Sequence, residues 1–243
     1  MKITEFAGKG KRFLIREKEI AKMEWLDFTA SSMEDIRAWE DVFDKPIVIK
    51  KREYTFKKRN IALLEMPRDF ESYKSGKPMQ AFRTNYNRGK KNGFSCRLFH
   101  GIDYFEQIMA INLSKDERAG RTMGEMYTDR EKVIAFLKKE PVMFGTFTAQ
   151  GELIGYLHLL FGGGMLALNK ILGHGAYLEE GVMYFMLGEL IRQIPDIYEN
   201  GGVRYIMYGS WNGGVASAGI QYYKARCGFC GYNVRYHIGI KSD

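Results

Sequence analysis

Hydrophobic and polar positions repeat along this chain with two periods, and they alternate in blocks. Short amphipathic pieces open it at 13–20 and 25–28. Residues 31–43 then set Met33, Ile36, Trp39, Val42 and Phe43 on one helical face, with Ser32 and Asp35 spaced as an N-terminal cap and Pro46 ending the element. Residues 46–50 and 60–66 read as strands joined through the charged run KKREYTFKKR. The stretch 72–92 predicts a basic helix that starts near Pro78, a residue suited to a first turn. Residues 94–99 alternate as a strand, and 102–113 and 129–139 carry helical stripes on either side of the polar run SKDERAGRTMGEMYT.

From residue 142 the period shortens to that of strands. Residues 142–149, 153–161 and 165–172 read as three of them, joined by Gln150-Gly151 and by Gly162-Gly163-Gly164. A helix at 182–194 and a strand at 203–208 follow, then a loop with Gly209, Gly213 and Gly214. Residues 216–226 suit a helix that Gly228 stops, and 232–238 alternate as a closing strand. The pattern is that of an α+β protein.

Composition narrows the class. The 243 residues, 45% of them hydrophobic, suit one main core with an N-terminal extension. No run approaches the ~20 apolar residues of a membrane span, and MKITEFAGKGKRF lacks the apolar centre of a secretory signal. Three cysteines without a disulfide framework agree with a reducing compartment, so a cytoplasmic location is expected. A formal charge of +8 makes an anionic partner plausible, such as CoA, tRNA or an acidic lipid, although lysines also simply keep a surface soluble.

The run Tyr223-Lys224-Ala225-Arg226-Cys227-Gly228-Phe229, followed at once by a strand, resembles the "helix, Gly-Phe, strand" ending of GNAT-fold acyltransferases. It resembles more closely the Phe-Lys ending of the Fem-type N-acyltransferases. SYKSGKPMQAFRTNYNRGKKNG, residues 72–93, is similar to the basic helix of the same group. The resemblance covers about residues 68–243. It implies a GNAT-like fold with a central mixed, mostly antiparallel sheet flanked by helices. It divides the chain into an extension with strands and the basic helix, 1–93, and a GNAT-like domain, 94–243.

The resemblance further implies an N-acyltransferase that moves an acyl group from acyl-CoA, or a similar thioester, to a small-molecule or peptide amine. Two central strands would splay apart at 165–172 and 203–208. Lys224 matches the lysine that stabilises developing negative charge, and Tyr223 the aromatic before it, although core packing and a solvated surface lysine would give the same letters. Gly173, His174 and Gly175, with Asn212 after the next strand, would bind the donor, and Arg83, Tyr86 and Arg88 of the basic helix would bind substrate. The loop departs from the family pattern, because its G-x-G spacing and basic or Gln residue are missing and Glu179 and Glu180 would repel phosphate. Those acids also fit a first helical turn. The departure admits two alternatives: an aminoacyl-tRNA donor, as in the Fem-type group, and a GNAT-shaped binding module without catalysis.

Other candidate chemistry is weaker. Cys227-Gly-Phe-Cys230 sits at a helix end, where the dipole does not favour a thiolate, so two packed thiols are the plainer reading. His100, His158, His174 and His237 have no metal-ligand spacing, and no metal is expected. His158 reads as a core or cleft histidine.

Overall fold

The computed structural model describes residues 16–43, 53–118, 120–198, 202–211 and 218–239. Its sheet is made of β1 (Trp25–Ala30), β2 (Glu53–Glu65), β3 (Ser95–Phe99), β4 (Met143–Phe147), β5 (Leu153–Gly162), β6 (Met165–Gly173), β7 (Tyr205–Ser210) and β8 (Cys230–Gly239). The main helices are α1 (Met33–Phe43), α2 (Gln80–Lys91), α3 (Phe105–Leu113), α4 (Arg130–Leu137), α5 (Val182–Ile197) and α6 (Ala218–Arg226).

All eight strands join in the order β1-β8-β2-β7-β6-β5-β4-β3. The β1/β8 and β7/β6 pairs are parallel and the rest antiparallel, which is the mixed, mostly antiparallel sheet expected. Strand periodicity assigns the two faces. Leu166 and Ile206 turn toward a core shared with Phe82, Tyr86, Phe185, Leu190 and Phe229, under α2 and α5. Met165 and Met207 turn the other way, toward Phe28, Trp39 and Tyr236 under α1. A third cluster, with Ile108, Val133, Leu137 and Tyr156, lies beneath α3 and α4.

Two expectations near the start are corrected. Residues 25–28, read as an amphipathic piece, belong to strand β1. The supposed turn KKREYTFKKR holds the first half of β2, which extends from Glu53 where a strand from residue 60 was expected. The cause is tertiary: β8 pairs with this half residue by residue, and Phe56 stacks on Tyr236 with centroids 4.7 Å apart. Thr55, Lys57 and Arg59 on the opposite face stay exposed, so the charges that suggested a turn are a solvated strand face. The strand expected at 46–50 lies outside the described residues. Strand β2, from before residue 94, runs between β8 and β7, from after it.

The cap of α1 forms as its letters imply: the Ser32 hydroxyl accepts from the Asp35 N–H at 3.1 Å, and Asp35 accepts from the Ser31 N–H at 3.0 Å. Asp35 also accepts from the Gly163 N–H at 2.8 Å, which pins the three-glycine turn under α1. Gly163 has φ +57°, and a Cβ there would lie 2.4 Å from the Trp39 ring, so this turn is a packing device.

Candidate active site

Strands β6 and β7 pair only at Met165–Tyr205, Leu166–Ile206 and Ala167–Met207, although β6 continues to Gly173 and β7 to Ser210. A bulge explains the parting. On β5, His158 stands opposite Lys170 and Leu159 opposite Leu168, which leaves Asn169 as an extra residue on β6. An extra residue bends and over-twists its strand, and β6 parts from β7 after Ala167, two residues before Asn169. Meanwhile β7 is held on its other edge, where Ser210 pairs with Ile61 and the Trp211 N–H donates to the Asn60 carbonyl at 2.8 Å. The result is a wedge-shaped gap with unpaired strand edges on both sides.

Helix α6 delivers Lys224 to this gap. The side chain is buried, at 4% exposure, and its Nζ donates to the Ser210 carbonyl at 2.7 Å while lying 4.5 Å above the Tyr208 ring. Among the described residues no carboxylate pairs with it. Burial lowers its pKa from 10.5 to about 8. Tyr223, beside it, donates its hydroxyl to the Met183 carbonyl at 2.9 Å and packs edge-on against Tyr184 at 4.9 Å. Burial raises its pKa far above 10, so its proton stays on. Tyr223 thus ties α6 to the first turn of α5, while Lys224 ties it to the end of β7.

Gly173 ends β6, and His174 and Gly175 follow it, beyond the point where β6 has left β7. Most of their polar groups are already engaged: the His174 N–H donates to the Ile154 carbonyl at 2.8 Å, the Gly175 N–H to Ser114 Oγ at 2.9 Å, and the Ala176 N–H to His174 Nδ1 at 3.3 Å. Arg118 donates to the Gly173 carbonyl at 2.9 Å and to the Ile111 carbonyl at 2.7 Å, bracing the loop from behind. Lys115 lies against Gly175 and brings a cation to a loop that carries none in its own letters. Asn212 lies outside the described residues.

On the basic helix, Arg83 donates to the carbonyls of Lys74 and Gly76 at 2.5 and 2.6 Å, closing the connection before α2. Arg88 donates to the Glu179 carbonyl at 2.5 Å, and Asn92 to the Glu180 carboxylate at 3.0 Å. Tyr86 is buried between α2 and α5, where it donates to Glu189 at 2.6 Å. The helix therefore braces the loop after β6 from the side, and Tyr223 reaches that loop through Met183, which lies against Gly173. Asn169, Ser210, Tyr208 and Arg118 were not singled out from the letters. Ser210 had a usable signal, as the residue after a strand-end glycine, whereas Arg118 had none in its polar run.

Cys227 is buried and Cys230 exposed, both as free thiols. No group of three metal-ligating side chains lies among the described residues, and none of the described helices is long and apolar enough to cross a membrane.

The sequence matches no protein-family model and no curated protein. Solved structures do match the fold. FemX superposes with a TM-score of 0.51 at 10% identity, covering 76% of this chain and 60% of that one. A conserved protein of unknown function from Bacteroides thetaiotaomicron gives 0.51 at 13%, covering 78% and 62%. L-PGS from Bacillus licheniformis gives 0.48 at 14%, covering 78% and 63%. The chain spans about three fifths of the length of these proteins. At such identities the likeness is one of fold, and that fold is the GNAT-like fold of the Fem-type group, as expected.

Proposed function

We propose that this chain is an N-acyltransferase that joins an acyl group from an activated ester or thioester to an amine, at the gap between β6 and β7. The observation that carries this reading is Lys224, a buried cation without a carboxylate partner beside unpaired strand edges. Burying an ammonium costs several kcal/mol after relaxation, so a lysine held this way is better explained by a charge it meets during turnover than by stability. The amine nitrogen attacks the acyl carbon, and the carbonyl electrons move onto oxygen. Lys224 stabilises that oxyanion. Collapse breaks the bond to the leaving sulfur or oxygen, which takes a proton as the new amide nitrogen loses one. Tyr223, with its hydroxyl committed to Met183, is a positioning residue that sets α6 on α5.

Acyl-CoA is the first donor reading, with Gly173, His174 and Gly175 beneath the pyrophosphate and Lys115 beside it. One observation favours a second, aminoacyl-tRNA: the amides of residues 174–176 are spent inside the protein, which leaves few to cradle a pyrophosphate. Arg226 and Lys77 also share the wall of an open cavity of about 630 Å³ at the start of α2, where a phosphate backbone would find cations. Arg83, Tyr86 and Arg88 would then act by shaping this face. A reducing, cytoplasmic setting suits the free thiols.

Two titrations test the donor. Acetyl-CoA at millimolar concentration is expected to raise the melting temperature if the first reading holds. Binding to tRNA that weakens steeply with salt supports the second. Failure of both removes the acyl donor and leaves the non-catalytic binding module.

A further inference from the structure

The sheet has a second accessible side at the gap, opposite α5 and α6. A cleft of about 620 Å³ opens there between α1, α4 and strands β5 and β6, large enough for a small metabolite. It shares Val42 and Asn169 with a smaller cavity of about 110 Å³ that reaches Gly209 and Ser210 at the end of β7. Ser210 is the residue whose carbonyl holds Lys224 from the other side. The cleft thus leads, through the smaller cavity, to the strand end whose carbonyl Lys224 binds.

The chemistry of the cleft is specific. Lys170 lies half-buried with its ammonium 3.9 Å from the centroid of Phe136 and 4.9 Å from that of Tyr127. No carboxylate pairs with it among the described residues, including Asp41 and Glu140, which line the same cleft. Its neighbour across the strand, His158, is held neutral. Burial and the Lys170 charge lower its pKa to about 4, and its Nδ1 lies 3.2 Å from the Asn169 amide. A cation fixed on two aromatic faces in a cleft lacks a counter-charge, and a ligand anion would supply one.

We propose that this cleft seats the acceptor as an amine that also carries an anionic group, carboxylate or phosphate, bound by Lys170, with the amine directed past Asn169 to the gap. This rests on the acyl-transfer reading, and binding without a donor tests it separately. The probes are 6-aminohexanoate, O-phosphoethanolamine and n-hexylamine, titrated calorimetrically into the full chain. At least one of the two anionic amines should bind roughly tenfold or more tighter than hexylamine, and which one does so tells carboxylate from phosphate. Lys170→Met should erase that preference, whereas Lys170→Arg and the out-of-cleft control Lys138→Met should keep it. The proposal is overturned if neither anionic amine binds at millimolar concentration, if hexylamine binds as well as both, or if Lys170→Met keeps the preference while its circular dichroism is native. Absence of acyl transfer to any amine from either donor class would remove the acyl-transfer reading without altering any of these binding results.

Discussion

Lys224, if it acts as proposed, carries two pH dependences of opposite sign, and measuring both tests that role. Its pKa falls from 10.5 in the unfolded chain to about 8 in the fold. Between those values the unfolded chain binds more protons, so this residue's contribution to stability rises as pH climbs through that window. Turnover needs the charged form and should instead fall as pH passes about 8, the value that burial imposes on Lys224. Lys224→Met keeps the aliphatic stem over Tyr208. It should lower turnover about a hundredfold or more, change substrate affinity much less, and lose the falling alkaline limb. Turnover on an identified substrate within a few-fold of native would exclude the lysine and leave backbone amides as the oxyanion donors.

Among elements, the contact between α2 and α5 holds the loop after β6, the proposed donor site, in place. At its centre Glu189 is buried. Burial alone would raise its pKa, but hydrogen bonds from Arg192 and Tyr86 outweigh that and hold it below 4.5. A carboxyl depressed in the fold stabilises above its unfolded pKa, and that stability disappears as pH falls through the folded value. Tyr86→Phe removes one donor to a buried carboxylate and should cost about 1–3 kcal/mol, read as a lower urea midpoint with an unchanged slope. A neutral result would mean that Arg192 and Gln193 satisfy Glu189 by themselves. Gly181 governs the other end of the contact, at φ +85° with a Cβ position only 2.3 Å from the Asn85 carbonyl. Gly181→Ala should cost about 1–3 kcal/mol from backbone strain alone and push α5 off α2. Donor binding should weaken with it, and an unshifted midpoint would show that the helices accommodate the methyl.

For the whole molecule, the place of β2 sets what can be removed. Because it runs between β7 and β8, a chain beginning at residue 94 would lose the strand that holds Ser210 and Trp211 on the far side of the gap. Such a truncation should aggregate or fold without a cooperative thermal transition, since it would expose the facing edges of two central strands. A soluble, cooperative 94–243 fragment would show that β7 and β8 can pair directly.

Much of this was legible in the letters. Helices α1, α2 and α4 follow from local period and caps, because each buries one face and so repeats at its own spacing, whereas α5 and strands β4 to β6, buried on most sides, follow from apolar runs bounded by turn glycines. Lys224 and Tyr223 could be singled out as candidates from their place at the end of a helix before Gly228-Phe229. The strand character of 53–59 was hidden, because a solvated strand face carries the same charges as a turn and only pairing with β8 tells them apart. The bulge at Asn169, the hold of Ser210 on Lys224 and the cleft around Lys170 were equally hidden. Each depends on residues brought together across the sheet from distant parts of the chain. The sequence by itself determined most of the elements, their order and the candidate residues Lys224 and Tyr223. Only tertiary structure decided that β6 leaves β7 near a bulge and that Lys224 is buried against Ser210 and Tyr208, since both are properties of neighbours that no local period encodes.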